Sequence, residues 1–244
     1  MDPITAEFLG TFILILLGVG VNANNTLNQT YAQNTGWVLI SFGWGLAVFC
    51  GVVVAGPYSG AHINPAVTIG LAIAGSFPWI EVAGFILAQL GGAMLGAFCV
   101  WVTYHQHYRT TDDNGAKLGT FSTGPAMKNT FQNFFSEALG TFVLVFVVLY
   151  IAGPTLEAGN LDHAQVGLGS IGALPVAFLV VAIGMALGGT TGYAINPARD
   201  LGPRIVHALL PMKKGNSNWG YAWIPVIGPL LGASIAAGVF ILLQ

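Results

Sequence analysis

Two asparagines, an arginine and two glutamates are the polar residues whose setting needs explaining. Asn64 and Asn196 each open an Asn-Pro-Ala tripeptide. Each follows a glycine-containing turn and an isoleucine, Gly60-Ala61-His62-Ile63 in one copy and Gly192-Tyr193-Ala194-Ile195 in the other. Asparagine is a strong helix N-cap, and proline suits the first helical position, where its missing N–H has no bond to lose. Each copy therefore predicts a helix start inside an apolar sequence. Two such starts facing one another make a polar site with amide donors and two positive dipole ends. Arg199 follows Asn196 by about one helical turn and is a charge in an apolar stretch, which is costly and usually functional. Glu7 and Glu137 lie in long apolar runs and have the form of a proton relay or of structural acceptors. No nucleophile, base or metal constellation sits beside the asparagines, and His105, His107, His163 and His207 share no ligand spacing. An enzyme is therefore the least favoured class, and no cofactor or metal is expected.

The surroundings of these residues are those of a membrane protein. Of 244 residues, 55% are hydrophobic and 7% charged, against about a quarter charged in soluble domains. The net charge of −2 comes without a basic stripe, so no nucleic acid is expected. Cys50 and Cys99 fall in apolar runs and are expected to pack as small side chains. The first apolar run lacks a basic leader and is followed by Asn22-Ala23-Asn24-Asn25, so it is expected to be a span and not a signal peptide. With about 20 apolar residues per crossing, spans are expected near 4–21, 37–55, 82–103, 134–152, 171–188 and 221–243. The stretches 65–74 and 197–210 are too short to cross and predict re-entrant half-helices. Irregular backbone at membrane depth is tolerated only where it is buried in protein or lines a watery cavity, which predicts a pore.

The chain also repeats. Ala6-Glu7-Phe8-Leu9-Gly10-Thr11-Phe12 is echoed by Ser136-Glu137-Ala138-Leu139-Gly140-Thr141-Phe142, 130 residues on, and the asparagines lie 132 apart. The expected domain is a single channel unit: repeat one over about 1–103, a polar connecting loop over about 104–133, and repeat two over about 134–244. An odd number of spans per half inverts the second copy, and inverted repeats with broken helices mark transport sites. The many glycines inside the spans predict close helix packing and a narrow pore.

Across essentially its whole length, the chain resembles the major intrinsic protein (aquaporin) family, and within it the glycerol-conducting aquaglyceroporins. The strongest matches are Ser59 to Thr68 and Gly192 to Arg204, each holding an Asn-Pro-Ala copy downstream of a Glu-x-x-Gly-Thr helix. The resemblance implies an all-α fold of six transmembrane helices plus two re-entrant half-helices in two inverted repeats. It places Asn64 and Asn196 at the pore midpoint, donating from free amide groups and orienting water away from a proton-conducting chain. It assigns the selectivity filter to Trp44, Gly184, Tyr193 and Arg199. Glycine at 184, where water-selective members carry histidine, favours a polyol; tyrosine at 193, where glycerol channels commonly carry phenylalanine, shrinks the filter or adds a hydrogen-bonding group. The resemblance also makes the carbonyls of Gly60, Ala61, His62, Gly192, Tyr193 and Ala194 an acceptor ladder, Glu7 and Glu137 acceptors for the re-entrant loops, and Asp200 a loop support beside Arg204.

The implied function is a passive channel for glycerol and other small neutral solutes, with water, urea, dihydroxyacetone and hydrogen peroxide as further candidates and with ions and protons excluded. A water-selective channel is the alternative; a coupled secondary transporter fits less well, because the midpoint offers amides and not a titratable or ion-binding cluster. A homotetramer in the plasma membrane with cytoplasmic termini is implied by the family. Counting charges points the other way for the termini. Arg109, Lys117, Lys128, Lys213 and Lys214 all fall in what the family makes outer loops, and Glu81, Glu157 and Asp162 at inner ends. Missing basic tails at the two ends would reconcile the two.

Overall fold

The helices begin where the chain supplies caps. Asp2 accepts from Thr5 N at 3.0 Å, and Pro3 occupies the first turn of α1 (Pro3–Thr26). Helix α2 (Trp37–Ser59) stops at Gly60, whose φ of 80° is left-handed. Asn64 caps α3 (Pro65–Ile73) by accepting from Ala66 N at 2.9 Å, and α4 (Trp79–Thr103) follows Pro78. Two short helices come next, α5 (His105–Thr110) and α6 (Asn114–Phe121), the latter capped by Asp113. Asn129 caps α7 (Thr130–Tyr150). A 3-10 turn, Gly169–Ala173, leads into α8 (Leu174–Leu187), Asn196 caps α9 (Pro197–Leu209), and α10 (Ile224–Leu242) closes the chain. This computed structural model describes residues 1–153, 155, 156 and 164–244; Glu157, Asp162 and His163 lie outside the described residues. Apart from helices and turns, the described residues hold one two-residue ladder, Thr155–Leu156 antiparallel to Ala164–Gln165.

Among the described residues, six segments are long and apolar enough to cross a membrane: α1, α2, α4, α7, the stretch Gly169–Leu187 and α10. Helices α3 and α9, with 9 and 13 residues, rise about 14 and about 20 Å, short of the ~30 Å hydrocarbon core. Counted along the chain, both termini then lie on one membrane face, and the α4–α7 connection and the α9–α10 loop on the other.

Two close approaches tie each half together. A Cβ on Gly92 of α4 would lie 2.2 Å from the carbonyl oxygen of Phe8, and one on Gly232 of α10 would lie 2.0 Å from that of Ala138. Only glycine lets these backbones meet, and it does so at matching places in the α1–α4 and α7–α10 pairs.

The structure departs from the expected boundaries in places with a physical cause. Helix α1 runs on to Thr26 because Asn22 is buried: its amide donates to Thr120 O at 3.3 Å, and its oxygen accepts from Trp44 Nε1 at 3.0 Å. Helix α7 starts at its asparagine cap and not at the first apolar run, and the Tyr221–Trp223 stretch is turn ahead of α10. The connection expected to be a polar loop contains α5 and α6. Phe121 and Tyr108 from these helices are fully or almost fully buried, which anchors the connection to the bundle.

Candidate functional site

The two loops ahead of α3 and α9 have the same backbone. Gly60 and Gly192 have φ of 80° and 82°, Ala61 and Tyr193 53° and 37°, and Ile63 and Ile195 41° and 43°. Positive φ is a genuine outlier for a β-branched residue and persists only where the surroundings impose it. A buried carboxylate imposes it in each half. Glu7 accepts from His62 N (2.9 Å) and Ile63 N (2.7 Å), and Glu137 from Ala194 N (3.0 Å) and Ile195 N (2.9 Å). Successive N–H groups turned onto one anion form a nest. With the N–H groups drawn outward to the glutamate, the carbonyls of Gly60, Ala61, His62, Gly192, Tyr193 and Ala194 accept no protein hydrogen bond among the described residues.

Hydroxyls complete each nest. Ser59 Oγ donates to Glu7 at 2.6 Å and Thr191 Oγ1 to Glu137 at 2.7 Å, each five residues before its asparagine. Gln89 of α4 adds a fourth donor to Glu7, at 2.7 Å, and also reaches Thr68. These three residues escaped the sequence reading. The five-residue offset of Ser59 and Thr191 and the isolation of Gln89 in an apolar helix were the available signals.

Asn64 and Asn196 meet where the two half-helix N-termini meet. Each keeps its oxygen on its own helix start, Asn64 on Ala66 N and Asn196 on Ala198 N and Arg199 N. Their amide groups, expected to be free, are each partly engaged, because the opposite loop's carbonyl lies within reach: Asn64 Nδ2 donates to Ile195 O at 2.8 Å and Asn196 Nδ2 to Ile63 O at 2.9 Å. One N–H of each amide therefore locks the opposite loop, and the other remains for a passing molecule.

Two cavities run away from this region. One, of about 260 Å³, is lined by both asparagines, by Gly60, Ala61, His62 and Ala194, and by a wall of valines and leucines that includes Val48, Val52 and Val180; it reaches Ile151 and Gly172 on the face of the termini. The other, of about 250 Å³, is lined by Gly192 and by connector residues Ala116, Ser122 and Thr123. The residues common to both are Trp44, Tyr193 and Arg199, which form the neck between them. Arg199 Cζ stands 4.0 Å from the Trp44 ring centre, a cation–π contact, and Nη1 donates to Phe121 O at 3.0 Å. That bond uses one of five guanidinium donors. The neck thus has two aromatic faces and a planar cluster of N–H donors.

Gly184, expected as the fourth member of the neck, lines neither cavity. It lies behind Tyr193, whose ring also meets Trp37 edge-on at 5.7 Å, and Trp37 Nε1 donates to Gly184 O at 2.8 Å. Trp37 is a further support that sequence reasoning missed. His62 packs edge-on to Phe77 at 4.6 Å, with Nδ1 3.2 Å from Thr68 Oγ1. Asp200 faces away from the cavities. It accepts from Thr123 N and Oγ1 and from Arg204 Nε and Nη2, all within 2.9 Å, while Arg204 donates onward to Thr123 O and Ser217 O. This fully buried ion pair ties α9 to the connector and to the α9–α10 loop. Among the described residues there is no cluster of metal ligands.

Comparison with known proteins converges on one group. The sequence pattern described as Major intrinsic protein matches residues 1–240. The chain is 51% identical over 241 residues to the glycerol uptake facilitator protein of Streptococcus pneumoniae, with 98% of each chain covered. It is 50% identical over 241 residues to the glycerol uptake facilitator protein of Bacillus subtilis, covering 98% of this chain and 84% of that one. Among solved structures, the aquaglyceroporin from Plasmodium falciparum superposes with a TM-score of 0.80 at 31% identity, covering 97% of this chain and 93% of that one.

Proposed function

We infer, from the premise that this chain belongs to the major intrinsic protein family, that it is an integral membrane channel which conducts glycerol passively. It is a channel and not an enzyme. The observation that carries the glycerol assignment at the level of residues is the neck of Trp44, Tyr193 and Arg199 between two cavities. Glycerol has a carbon edge and a hydroxyl edge. The aromatic rings receive the first, and the guanidinium N–H groups of Arg199 that are not donated to Phe121 O receive the second. Beyond the neck, the hydroxyls meet the strained-loop carbonyls while the carbons face valines and leucines, so the molecule exchanges one set of acceptors for the next without losing contact.

Water shares the same donors and acceptors and passes as well; urea, dihydroxyacetone and hydrogen peroxide are the further neutral solutes this lining accommodates. At the midpoint, the remaining amide hydrogens of Asn64 and Asn196 occupy the oxygen of the passing molecule, and two half-helix N-termini repel cations and protons. Glu7 and Glu137 hold the loops and do not relay protons, since every carboxylate oxygen already accepts from the protein. The functional unit is the whole chain, with both repeats contributing to one path, assembled as a homotetramer in the plasma membrane with cytoplasmic termini.

Stopped-flow light scattering on proteoliposomes tests this directly. Shrinkage followed by fast reswelling is expected in a glycerol gradient, shrinkage alone in sucrose, and no dependence on an imposed pH or ion gradient. Fast water exit without reswelling would make the channel water-selective, and transport only under an ion gradient would make it a coupled carrier.

A further inference from the structure

On the membrane face opposite the termini, the end of α4, both short helices and the segment after α9 enclose a third cavity, of about 340 Å³, which shares no residue with the conduction path. Its wall gathers Arg109, Lys117 and Lys213, three of the chain's seven lysines and arginines, with His105, Trp101 and Met212, and among the described residues it has no acidic side chain. Among the described residues, none of the three cations has a carboxylate within ion-pair distance. Lys117 is only 2% exposed, and its ammonium donates to one neutral acceptor, Lys213 O, at 2.7 Å. A buried ammonium with a single carbonyl partner lacks the counter-charge that normally accompanies burial. The side chain of Trp101 forms part of the same wall. Three cationic side chains around one cavity suit an anion with several acceptor oxygens.

Its position says what carries that anion. Trp101 stands in the last turn of the membrane-crossing helix α4, at the depth where aromatic residues meet lipid headgroups. Leu95, Phe98 and Val102 of the same helix are all exposed and form an apolar stripe leading to this end. We propose that the cavity binds a phosphate group, delivered as the headgroup of an anionic phospholipid whose acyl chain lies along the Leu95–Phe98–Val102 stripe. The excess of basic residues on this face, contrary to simple charge counting, then has a function.

The test uses the intact chain in detergent. Native mass spectrometry compares retention of phosphatidylglycerol and phosphatidylcholine by the wild type, by Arg109→Gln/Lys213→Gln and by Lys128→Gln, an exposed basic residue outside the cavity. Inorganic phosphate is titrated in parallel against chloride at equal ionic strength, with the unfolding midpoint as readout. Preferential retention of phosphatidylglycerol is expected, falling about thirtyfold in the double variant and little in Lys128→Gln. Protection by inorganic phosphate, lost in the double variant, without lipid preference would keep the phosphate site and overturn the lipid as its source. Equal losses in Lys128→Gln and the double variant, or undiminished retention in the double variant with no phosphate effect, would overturn the site.

Discussion

Gly184 lies directly behind the phenol ring of Tyr193: a Cβ placed on Gly184 would come within 2.7 Å of Tyr193 Cζ and 2.8 Å of its hydroxyl oxygen. The glycine sets the width of the neck indirectly, by giving the tyrosine somewhere to lie. Gly184→Ala should push the ring toward Arg199 and reduce glycerol permeability by about tenfold or more, with a smaller loss for water, because one methyl-sized change in a tight apolar site is worth about 1–3 kcal/mol. Stopped-flow rates for both solutes decide it; equal losses would mean that the whole path, and not the neck, had changed.

The hydroxyl of Tyr193 is buried and makes no protein hydrogen bond among the described residues. Tyr193→Phe therefore removes a group without breaking a bond, and the unfolding free energy should change by less than about 1 kcal/mol. Its effect should appear instead in the ratio of glycerol to water permeability. A large loss of thermal stability in detergent would show that the hydroxyl has a partner.

The two buried glutamates are not equal. Glu7 accepts two bonds at each carboxylate oxygen, whereas Glu137 accepts two at one and one at the other. An amide in place of the carboxylate turns a donor toward donors on one side. Glu7→Gln should cost about 3 kcal/mol or more, and Glu137→Gln less. Unfolding midpoints of the two variants, side by side, test the order; the reverse order would place the weight of the loop elsewhere.

Arg204 is a different kind of support, since its fork binds Asp200, Thr123 and Ser217 at once. A lysine preserves the charge but reaches only part of this set. Arg204→Lys is expected to lose about 3 kcal/mol of stability. Because Thr123 lines the cavity on the connector side, the neck should also become leakier to sucrose-sized solutes than it is in the wild type. Thermal unfolding and solute exclusion measure the two effects separately.

The parts of this protein that could be read beforehand are those where one residue type has a strong local meaning. Asn64 and Asn196 declare helix starts, Arg199 is conspicuous in apolar surroundings, and Glu7 and Glu137 are marked by their repetition. The groups that hold them were harder to see, because their partners are backbone atoms or distant in sequence. The carbonyl of Phe121 that fixes Arg199 has no signature in any side chain, and Asn22 looked like the end of a helix when it is the anchor of Trp44. The folded connector stayed hidden because its two helices are 6 and 8 residues long and depend on burial more than on their own periodicity. Gly184 is expected in the neck itself, and it lines neither cavity but backs the ring of Tyr193, a relationship that no spacing in the chain announces.

The crossed bonds from Asn64 to Ile195 and from Asn196 to Ile63 have the form of a two-fold interface, where residue i meets j and j meets i, folded inside one polypeptide. The point where they cross belongs to neither half, and a molecule arriving there from either face meets one asparagine amide and one loop from each repeat. No ratchet is built into that geometry. The direction of net flow rests with the solute, through its concentrations on the two sides.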